Sequence, residues 1–194
     1  MTHLDRPRLR QLLADDGRSA GERERLLDLV ALAVSLPAPP DPDGDFPRHD
    51  TLQDRLRRAL DGDDGDHLEE CFLEWYAHVH MHEAPYTAGE RAQMDHTGGY
   101  WNHAGGVSPL LKAAPHLHPA TVSADFGAGN GLQGLLLQRL YPHARTVQIE
   151  ISSRAVAIGQ RLQRWLEIPG DRVQWIVGDV LDQSTAGIDF LYLY

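Results

Sequence analysis

The chain has 194 residues, of which 42% are hydrophobic and 24% charged, a composition typical of a globular protein rather than a disordered or fibrous one. A formal net charge of −10 argues against a general nucleic-acid-binding role, because phosphate contacts need a basic surface. The sequence has one cysteine, no bilayer-length apolar run and no secretory signal near Met1, which together predict a cytoplasmic protein without membrane contact.

Residues 1–84 are predicted to form a helical N-terminal region. Ser19 is a suitable N-cap for a helix whose apolar residues continue at helical spacing to about residue 36. Residues 37–47 contain five prolines, which precludes regular structure and predicts a stiff, exposed linker. Further helices are expected over residues 50–60 and 67–82. The second carries an apolar stripe that indicates core packing, formed by Leu68, Phe72, Trp75, Tyr76 and Val79.

Three histidines, His78, His80 and His82, end this last helix. His78 and His82 would share one face at i, i+4 spacing, which is a spacing that can bind zinc. No cysteine cluster and no second pair of ligands accompanies them, so an exposed helix face is the favoured interpretation. The acidic turn at residues 61–66 likewise lacks the spacing and the terminal glutamate of a calcium-binding loop. We therefore predict no metal site.

Residues 85–194 are predicted to form an α/β domain. Its first part, over residues 84–104, is rich in glycine and aromatic residues and is expected to be an irregular connection, followed by a short helix over 107–114. From residue 121 onward strands and helices alternate, which predicts a parallel sheet with right-handed crossovers. The strands are expected over residues 121–126, 146–151, 173–177 and 188–194, with helices over 132–141 and from Ser152 or Ser153 to about 166.

The loop after the first expected strand is the most informative stretch. It reads D-F-G-A-G-N-G from Asp125 to Gly131, and an apolar helix follows. Glycine permits positive φ angles in such a loop, and it lets the backbone approach a ligand because no Cβ intervenes. A strand, a glycine loop and a helix in this order predict a site for a nucleotide-like ligand.

Acidic residues close the first three expected strands, at Asp125, Glu150 and Asp179. The carboxyl ends of parallel strands lie along one edge of the sheet, where folds of this class bind ligands. Glu150 can accept two hydrogen bonds from a ribose diol, and Asp179 can accept one from the exocyclic amine of an adenine. The neighbouring Ile151 and Val180 are expected to sandwich the adenine ring.

This series resembles that of the class I S-adenosylmethionine-dependent methyltransferases. Their first motif, acid-x-Gly-x-Gly-x-Gly, corresponds to Asp125–Gly131, their ribose-binding acid to Glu150 and their adenine-binding acid to Asp179. The resemblance covers roughly residues 100–194 and implies a Rossmann-like sheet, with the strand order 3-2-1-4 in this chain. It also implies S-adenosyl-L-methionine as the cofactor. The expected cofactor-binding residues are Asp125, Phe126, Gly127, Gly129, Gly131, Glu150, Ile151, Asp179 and Val180.

The activity that the resemblance implies is methyl transfer to an acceptor, which the sequence does not identify as a small molecule or a protein side chain. Displacement at a sulfonium needs positioning and exclusion of water, so no particular catalytic acid or base is predicted. Tyr100 and Trp101 lie between His96 and His103, just before the glycine domain. This aromatic pair is expected either to cover the cofactor or to pack in the core.

Two other functions stay open. A G-x-G-x-x-G pattern is also present at Gly129, Gly131 and Gly134, with Glu150 lying 21 residues after Gly129, as in a NAD(P)-dependent oxidoreductase. Asp125 disfavours that interpretation, since a carboxylate at this position repels a pyrophosphate. The other function is that of a non-catalytic nucleotide-binding or assembly module that lacks the substrate-binding half of the domain.

The fourth expected strand ends in the apolar run F-L-Y-L-Y at residues 190–194. In the order 3-2-1-4 it would form an open sheet edge, which natural proteins avoid because such edges aggregate. We therefore expect the chain to be a fragment of a longer protein or a subunit whose fourth strand is covered by an oligomeric or other partner, and the first is favoured.

Overall fold

The computed structural model describes residues 17–62, 65–80, 86–97 and 107–193. The chain divides into two compact units, one of Met1–Val79 with Gly106–Lys112 and the other of His80–Gly105 with Ala113–Tyr194. In the described ranges the α-helices are α1 (Ala20–Ser35), α2 (His49–Asp61), α3 (Gly65–His80), α4 (Ala88–Thr97), α5 (Ser108–Ala113), α6 (Leu132–Leu140) and α7 (Ser153–Trp165). The strands are β1 (Val122–Phe126), β2 (Arg145–Glu150), β3 (Val173–Val177) and β4 (Phe190–Leu193).

No helix in these ranges is long and apolar enough to cross a membrane. The predicted domain boundary at residues 84 and 85, and the helical residues expected before residue 17, lie outside the described residues.

Helix α3 supplies the centre of the first unit. The five apolar residues predicted to form its stripe are each at most 1% exposed, so their role as core is confirmed. Helix α1 begins with a capping box, in which Ser19 accepts a hydrogen bond from the Glu22 N–H and the Glu22 carboxylate accepts one from the Ser19 N–H. The predicted cap at Ser19 and the helix predicted over residues 50–60 are confirmed, and the helix predicted over 67–82 is confirmed as far as His80, where the described residues end.

The prediction of an irregular, exposed linker over residues 37–47 holds for most of the segment but is wrong at Pro39 and Phe46, which are buried. Phe46 is only 4% exposed, and its ring meets that of His78 edge-on at a centroid distance of 6.3 Å. The Asp41 carboxylate accepts hydrogen bonds from the N–H groups of Asp45 and Phe46. An aromatic residue among the prolines therefore anchors the segment to the core of its own unit.

Four parallel strands form the sheet of the second unit, in the order β3-β2-β1-β4. Helix α6 connects β1 to β2 and helix α7 connects β2 to β3, as expected of helical crossovers. The predicted Rossmann-like α/β fold is confirmed, with the strand order expected from the resemblance to class I methyltransferases.

The two faces of this sheet differ in polarity, because side chains alternate along each strand. One face carries an apolar cluster, to which Ala124, Phe126, Val147 and Ile149 belong and against which Val122, Ile176, Val180 and Ile188 pack. The opposite face carries polar side chains that are at most 2% exposed, namely Ser123, Asp125, Thr146, Gln148 and Glu150.

A buried histidine satisfies the polar residues at the amino-terminal ends of β1 and β2. The Nδ1 atom of His143 donates to the Tyr141 carbonyl oxygen at 2.8 Å, so Nε2 is the acceptor and lies 2.8 and 2.9 Å from the hydroxyl oxygens of Ser123 and Thr146. The Ser123 hydroxyl donates to Thr146 Oγ1 at 3.1 Å, which leaves the Thr146 hydroxyl to donate to Nε2. Burial lowers the pKa of His143, which keeps the ring neutral as this arrangement requires. The network fastens the end of the sheet opposite to the acidic strand ends.

Candidate functional site

The glycine loop between β1 and α6 has three left-handed residues. Gly127, Gly129 and Gly131 have φ angles of 79°, 57° and 66°, which strain any residue that bears a Cβ. A Cβ built on Gly127 would meet no atom within 4 Å, and one on Gly129 would lie 3.9 Å from the Tyr86 hydroxyl. The open side of the loop is therefore at its first two glycines.

Gly131 serves a different purpose, since its bare Cα makes room for the indole of Trp175. A Cβ on Gly131 would lie 2.5 Å from Trp175 Cη2, and one on Gly159 of helix α7 would lie 2.3 Å from the same atom. Trp175 Nε1 donates to the Gln163 side-chain oxygen at 2.8 Å, which fixes the plane of the ring. The loop thus rests on an aromatic side chain of the sheet.

Glu150, at the end of β2, lies at the centre of the acidic strand ends. Its Oε1 accepts from the Ser152 N–H at 2.9 Å, and its Oε2 accepts from the Gly129 N–H at 2.7 Å and from the Tyr86 hydroxyl at 3.4 Å. The side chain is 2% exposed. Burial raises the pKa of Glu150, and the N–H donors oppose that rise. The contacts join the glycine loop, β2 and Tyr86 around one carboxylate.

Asp125, at the penultimate position of β1, is as deeply buried as Glu150 and is also 2% exposed. Burial, reinforced by the negative charge of Glu150, raises its pKa from 3.8 to about 8. At neutral pH Asp125 is therefore largely protonated. A positively charged ligand beside them would shift Asp125 to its ionised form.

The prediction of an irregular connection over residues 84–104 is wrong for the part that forms helix α4. Thr87 and Glu90 build a capping box, in which the Glu90 carboxylate accepts from the Thr87 N–H at 2.6 Å and the Thr87 hydroxyl accepts from the Glu90 N–H at 3.2 Å. The pattern T-x-x-E was present in the sequence and was the available signal. We call the described segment Tyr86–Thr97 the strap.

The strap contacts the strand ends at three points that sequence reasoning missed. The Tyr86 hydroxyl donates to Glu150, as described above. The Glu90 carboxylate is hydrogen-bonded to Ser152, which follows the end of β2. Burial raises the pKa of Glu90, but the hydrogen bonds from Thr87 and Ser152 lower it below its usual value. Gln93 Nε2 donates to Asp179 Oδ2 at 3.0 Å. A tyrosine and a glutamine far away in the sequence carried no periodic or motif signal for these partners.

Asp179 follows β3 and caps the short 3-10 turn Val180–Asp182, its Oδ1 accepting from the Leu181 N–H at 2.9 Å. The Gly178 N–H donates to the Glu150 carbonyl oxygen at 3.0 Å, which holds the ends of β2 and β3 in register. Asp125, Glu150 and Asp179 thus all lie at the carboxyl end of the sheet, as their spacing predicted.

Two of the predicted cofactor residues, Phe126 and Val180, have side chains on the other face of the sheet. Phe126 and Val180 belong to the apolar cluster on the other face of the sheet, or pack against it, and Ile151 is half-buried directly after Glu150. Exposed apolar surface beside Asp179 comes instead from Val177 and Leu181, which are 53% and 73% exposed.

Other candidates lie outside the described residues, namely His82, Tyr100, Trp101 and His103. Within the described ranges, no group of three or more histidine, cysteine, aspartate or glutamate residues could hold a metal ion.

The N–H groups of the glycine loop are engaged by the protein itself. Those of Gly127 and Ala128 both donate to the Ile149 carbonyl oxygen at 3.0 Å, that of Gly129 donates to Glu150, and that of Gly131 donates to the Ala128 carbonyl oxygen at 2.7 Å. A phosphate-binding loop directs such groups at its ligand. The groups beside this loop are instead the carboxyl groups of Asp125 and Glu150, which suit hydroxyl, amine and cationic partners.

Comparison with known proteins adds a limited likeness of fold. No protein-family model and no curated protein matches the chain. One similar solved structure is that of an S-adenosylmethionine-dependent methyltransferase from Thiobacillus denitrificans in complex with S-adenosyl-L-homocysteine. The match has 21% sequence identity and a TM-score of 0.39, and it covers 58% of this chain and 38% of that protein.

Two further solved structures are similar to the same extent. The protein YjhP from E. coli is 19% identical, with coverages of 55% and 36% and a TM-score of 0.33. Coclaurine N-methyltransferase, bound to N-methylheliamine and S-adenosylhomocysteine, is 13% identical, with coverages of 87% and 52% and a TM-score of 0.37. The chain thus spans about a third to a half of these proteins.

Proposed function

We propose that the chain binds S-adenosyl-L-methionine and transfers its methyl group to an acceptor. The observation that supports this most is the buried pair Asp125 and Glu150 directly beneath a glycine loop whose N–H groups are already engaged. The acceptor is proposed to be a small molecule or a protein side chain.

Each acid fits a different part of that cofactor. Glu150 has two carboxylate oxygens that can accept from the two hydroxyls of a ribose. Asp179 follows the next strand and can accept from the exocyclic amine of adenine. Asp125 suits the ammonium and sulfonium groups of the methionine part, because a neighbouring cation offsets its burial and its repulsion from Glu150.

A dinucleotide fits the same group poorly. Its pyrophosphate carries negative charges and would lie against two buried carboxyl groups, one of which titrates near pH 8. The loop N–H groups that would have to bind it donate instead to Ile149, Glu150 and Ala128. These contacts favour a methyltransferase over an oxidoreductase.

The chemistry proposed is an in-line displacement. The acceptor atom forms a bond to the methyl carbon while the carbon–sulfur bond breaks, and the sulfur keeps the electron pair of that bond. The sulfonium thus becomes an uncharged thioether, and the acceptor releases a proton if it carried one. Because the product has one positive charge fewer, we expect Asp125 and Glu150 to attract it less strongly than the substrate.

Calorimetric titration of the wild-type chain tests the binding. We expect S-adenosylhomocysteine and S-adenosylmethionine to bind and NAD not to bind. Glu150→Gln should weaken binding of S-adenosylhomocysteine by about tenfold or more, because a hydroxyl then loses a charged acceptor. The matched control is Glu167→Gln, at a side chain that is 83% exposed, which should leave affinity unchanged. Binding of NAD alone would overturn the proposal.

Catalysis is tested separately from binding. Formation of S-adenosylhomocysteine from S-adenosylmethionine is measured with a panel of amine, hydroxyl and thiol acceptors, and in a protein extract. Cofactor binding without product from any acceptor would favour the non-catalytic nucleotide-binding module.

A further inference from the structure

The strap makes hydrogen bonds to the same acids that the proposed cofactor needs. Tyr86 offers a hydroxyl to Glu150, the acid assigned above to the ribose hydroxyls. Gln93 offers an amide NH₂ group to Asp179, the acid assigned above to the exocyclic amine of adenine. In both positions the protein supplies a donor of the same chemical type as the donor on the ligand.

These contacts leave little room for a ligand to share the acids. Glu150 is 2% exposed and Tyr86 is 9% exposed, so solvent does not reach this carboxylate while the tyrosine is in contact with it. The Gly129 and Ser152 donors to Glu150 are backbone groups fixed by the loop and by the start of helix α7. The Tyr86 hydroxyl is the longest contact, at 3.4 Å, and is the donor that a side-chain movement can remove.

Asp179 is half-buried, and its contact with the strap is an exposed one. Its Oδ1 accepts from the Leu181 N–H of the turn that it caps, a contact that belongs to the local fold. Its Oδ2 accepts from Gln93, which lies 86 residues away in the sequence. Gln93 therefore occupies the oxygen that remains for a ligand.

From this correspondence we propose that the strap occludes its own cofactor site, with Tyr86 and Gln93 standing in for the ribose hydroxyl and the adenine amine until the cofactor displaces them. The inference rests on the proposed function. Only molecules in which the strap has released both acids bind the nucleoside, so the apparent affinity is the intrinsic affinity multiplied by the open fraction.

Calorimetric titration with S-adenosylhomocysteine tests this against two variants of the strap. Gln93→Ala and Tyr86→Phe each remove one strap contact and no backbone contact, so each should raise the open fraction and tighten binding about three- to tenfold. Stopped-flow measurement should show faster association in both. Gln160→Ala, at an exposed glutamine of helix α7, is the control and should match wild type. Unchanged or weaker binding in both strap variants overturns the inference.

A second measurement separates this outcome from failure of the proposed function. Amide hydrogen exchange of the strap, without any ligand, should be faster in Gln93→Ala than in wild type if the Asp179 contact holds the strap closed. If wild type binds no S-adenosylhomocysteine, the proposed function fails, whereas unchanged exchange rejects the strap as a closure even when the cofactor binds.

Discussion

Asp125 and Glu150 are equally buried but are stabilised very differently. Glu150 accepts from backbone N–H groups, among them those of Gly129 and Ser152, and from the Tyr86 hydroxyl, and these donors oppose the rise of its pKa that burial causes. Asp125 has its pKa raised by burial and by Glu150 together, to about 8. In the ligand-free protein Asp125 is therefore largely protonated at neutral pH, and a cationic ligand would favour its ionised form.

Stability of the ligand-free chain should depend on Asp125 in a defined direction. A carboxyl group with a pKa of about 8 when folded and 3.8 when unfolded favours the folded state at low pH, and this contribution is lost as pH rises from about 4 to about 8. Asp125→Asn keeps the shape and cannot ionise. We expect its free energy of unfolding to exceed that of wild type by on the order of 2 kcal/mol at about pH 8.

Urea titration at about pH 5 and about pH 8 measures this difference, which should be much smaller at the lower pH. Asp182→Asn, at an exposed aspartate, is the control. A variant less stable than wild type at the higher pH would contradict the assignment of Asp125 as a destabilised charge.

Cofactor binding should be coupled to the release of a proton. With its pKa near 8, Asp125 is largely protonated at about pH 7, and a cationic ligand favours its carboxylate. Affinity for S-adenosylmethionine should therefore rise as pH approaches 8 and level off above it. Calorimetry in buffers of different ionisation enthalpy should detect close to one proton released per ligand at about pH 7. Asp125→Asn should abolish this release, and its persistence would point to another group.

At the scale of elements, the glycine loop is shaped by its contact with β3. Gly159 of helix α7 is not in the loop, yet a Cβ there would lie 2.3 Å from Trp175 and 2.6 Å from the Asn130 carbonyl oxygen. Because one of these atoms is backbone, the clash cannot be relieved by a side-chain rotation.

Gly159→Ala should therefore lower the free energy of unfolding by about 1–3 kcal/mol and also weaken cofactor binding through the displaced loop. Gly170→Ala is the matched control, since a Cβ at Gly170 meets no atom within 4 Å. Chemical denaturation and calorimetric titration of both variants measure the two effects. Wild-type stability in Gly159→Ala would show that Trp175 can move aside.

The elements that sequence predicted best are those with a local signal. The strand Val173–Val177 and the helix after the Ser152 cap follow from runs of apolar residues and a capping side chain. Helix α4 was missed because the glycine and aromatic residues around it masked the T-x-x-E box at Thr87.

The site was predicted in part for a similar reason. Strand-end acids and glycines are local features, so Asp125, Glu150 and Asp179 were found at one edge of the sheet. The partners Tyr86 and Gln93 lie 64 and 86 residues away from the acids that they contact, a pairing that only the folded chain defines. Likewise, the packing of Trp175 against Gly131 depends on the neighbouring strands, and no sequence spacing encodes it.

At the scale of the whole molecule, β4 is one of the two edge strands of the sheet. Within the described residues its one paired neighbour is β1, and its Leu191 side chain is 41% exposed. An apolar strand with unpaired backbone groups favours contact with another chain. We propose that this edge carries a partner or a second copy of the chain.

Replacing Leu191 by lysine should weaken that contact. We expect Leu191→Lys to remain monomeric at concentrations at which the wild-type chain self-associates, because a buried ammonium opposes edge pairing. Sedimentation velocity over a concentration series measures the effect, with Ala186→Lys in the exposed turn before β4 as a control of equal charge. Identical association of all three proteins would exclude the β4 edge as the contact.

The indole of Trp175 beneath the glycine loop determines which part of the site must rearrange when a ligand binds. Because Gly131 and Gly159 pack tightly against this ring, the loop has its final shape before a ligand binds. The conformational entropy of the loop is therefore lost during folding and not during binding. Adjustment on docking then falls on Tyr86 and Gln93. The fluorescence of Trp175 should consequently report the integrity of this floor, and should change little when those two side chains swing away.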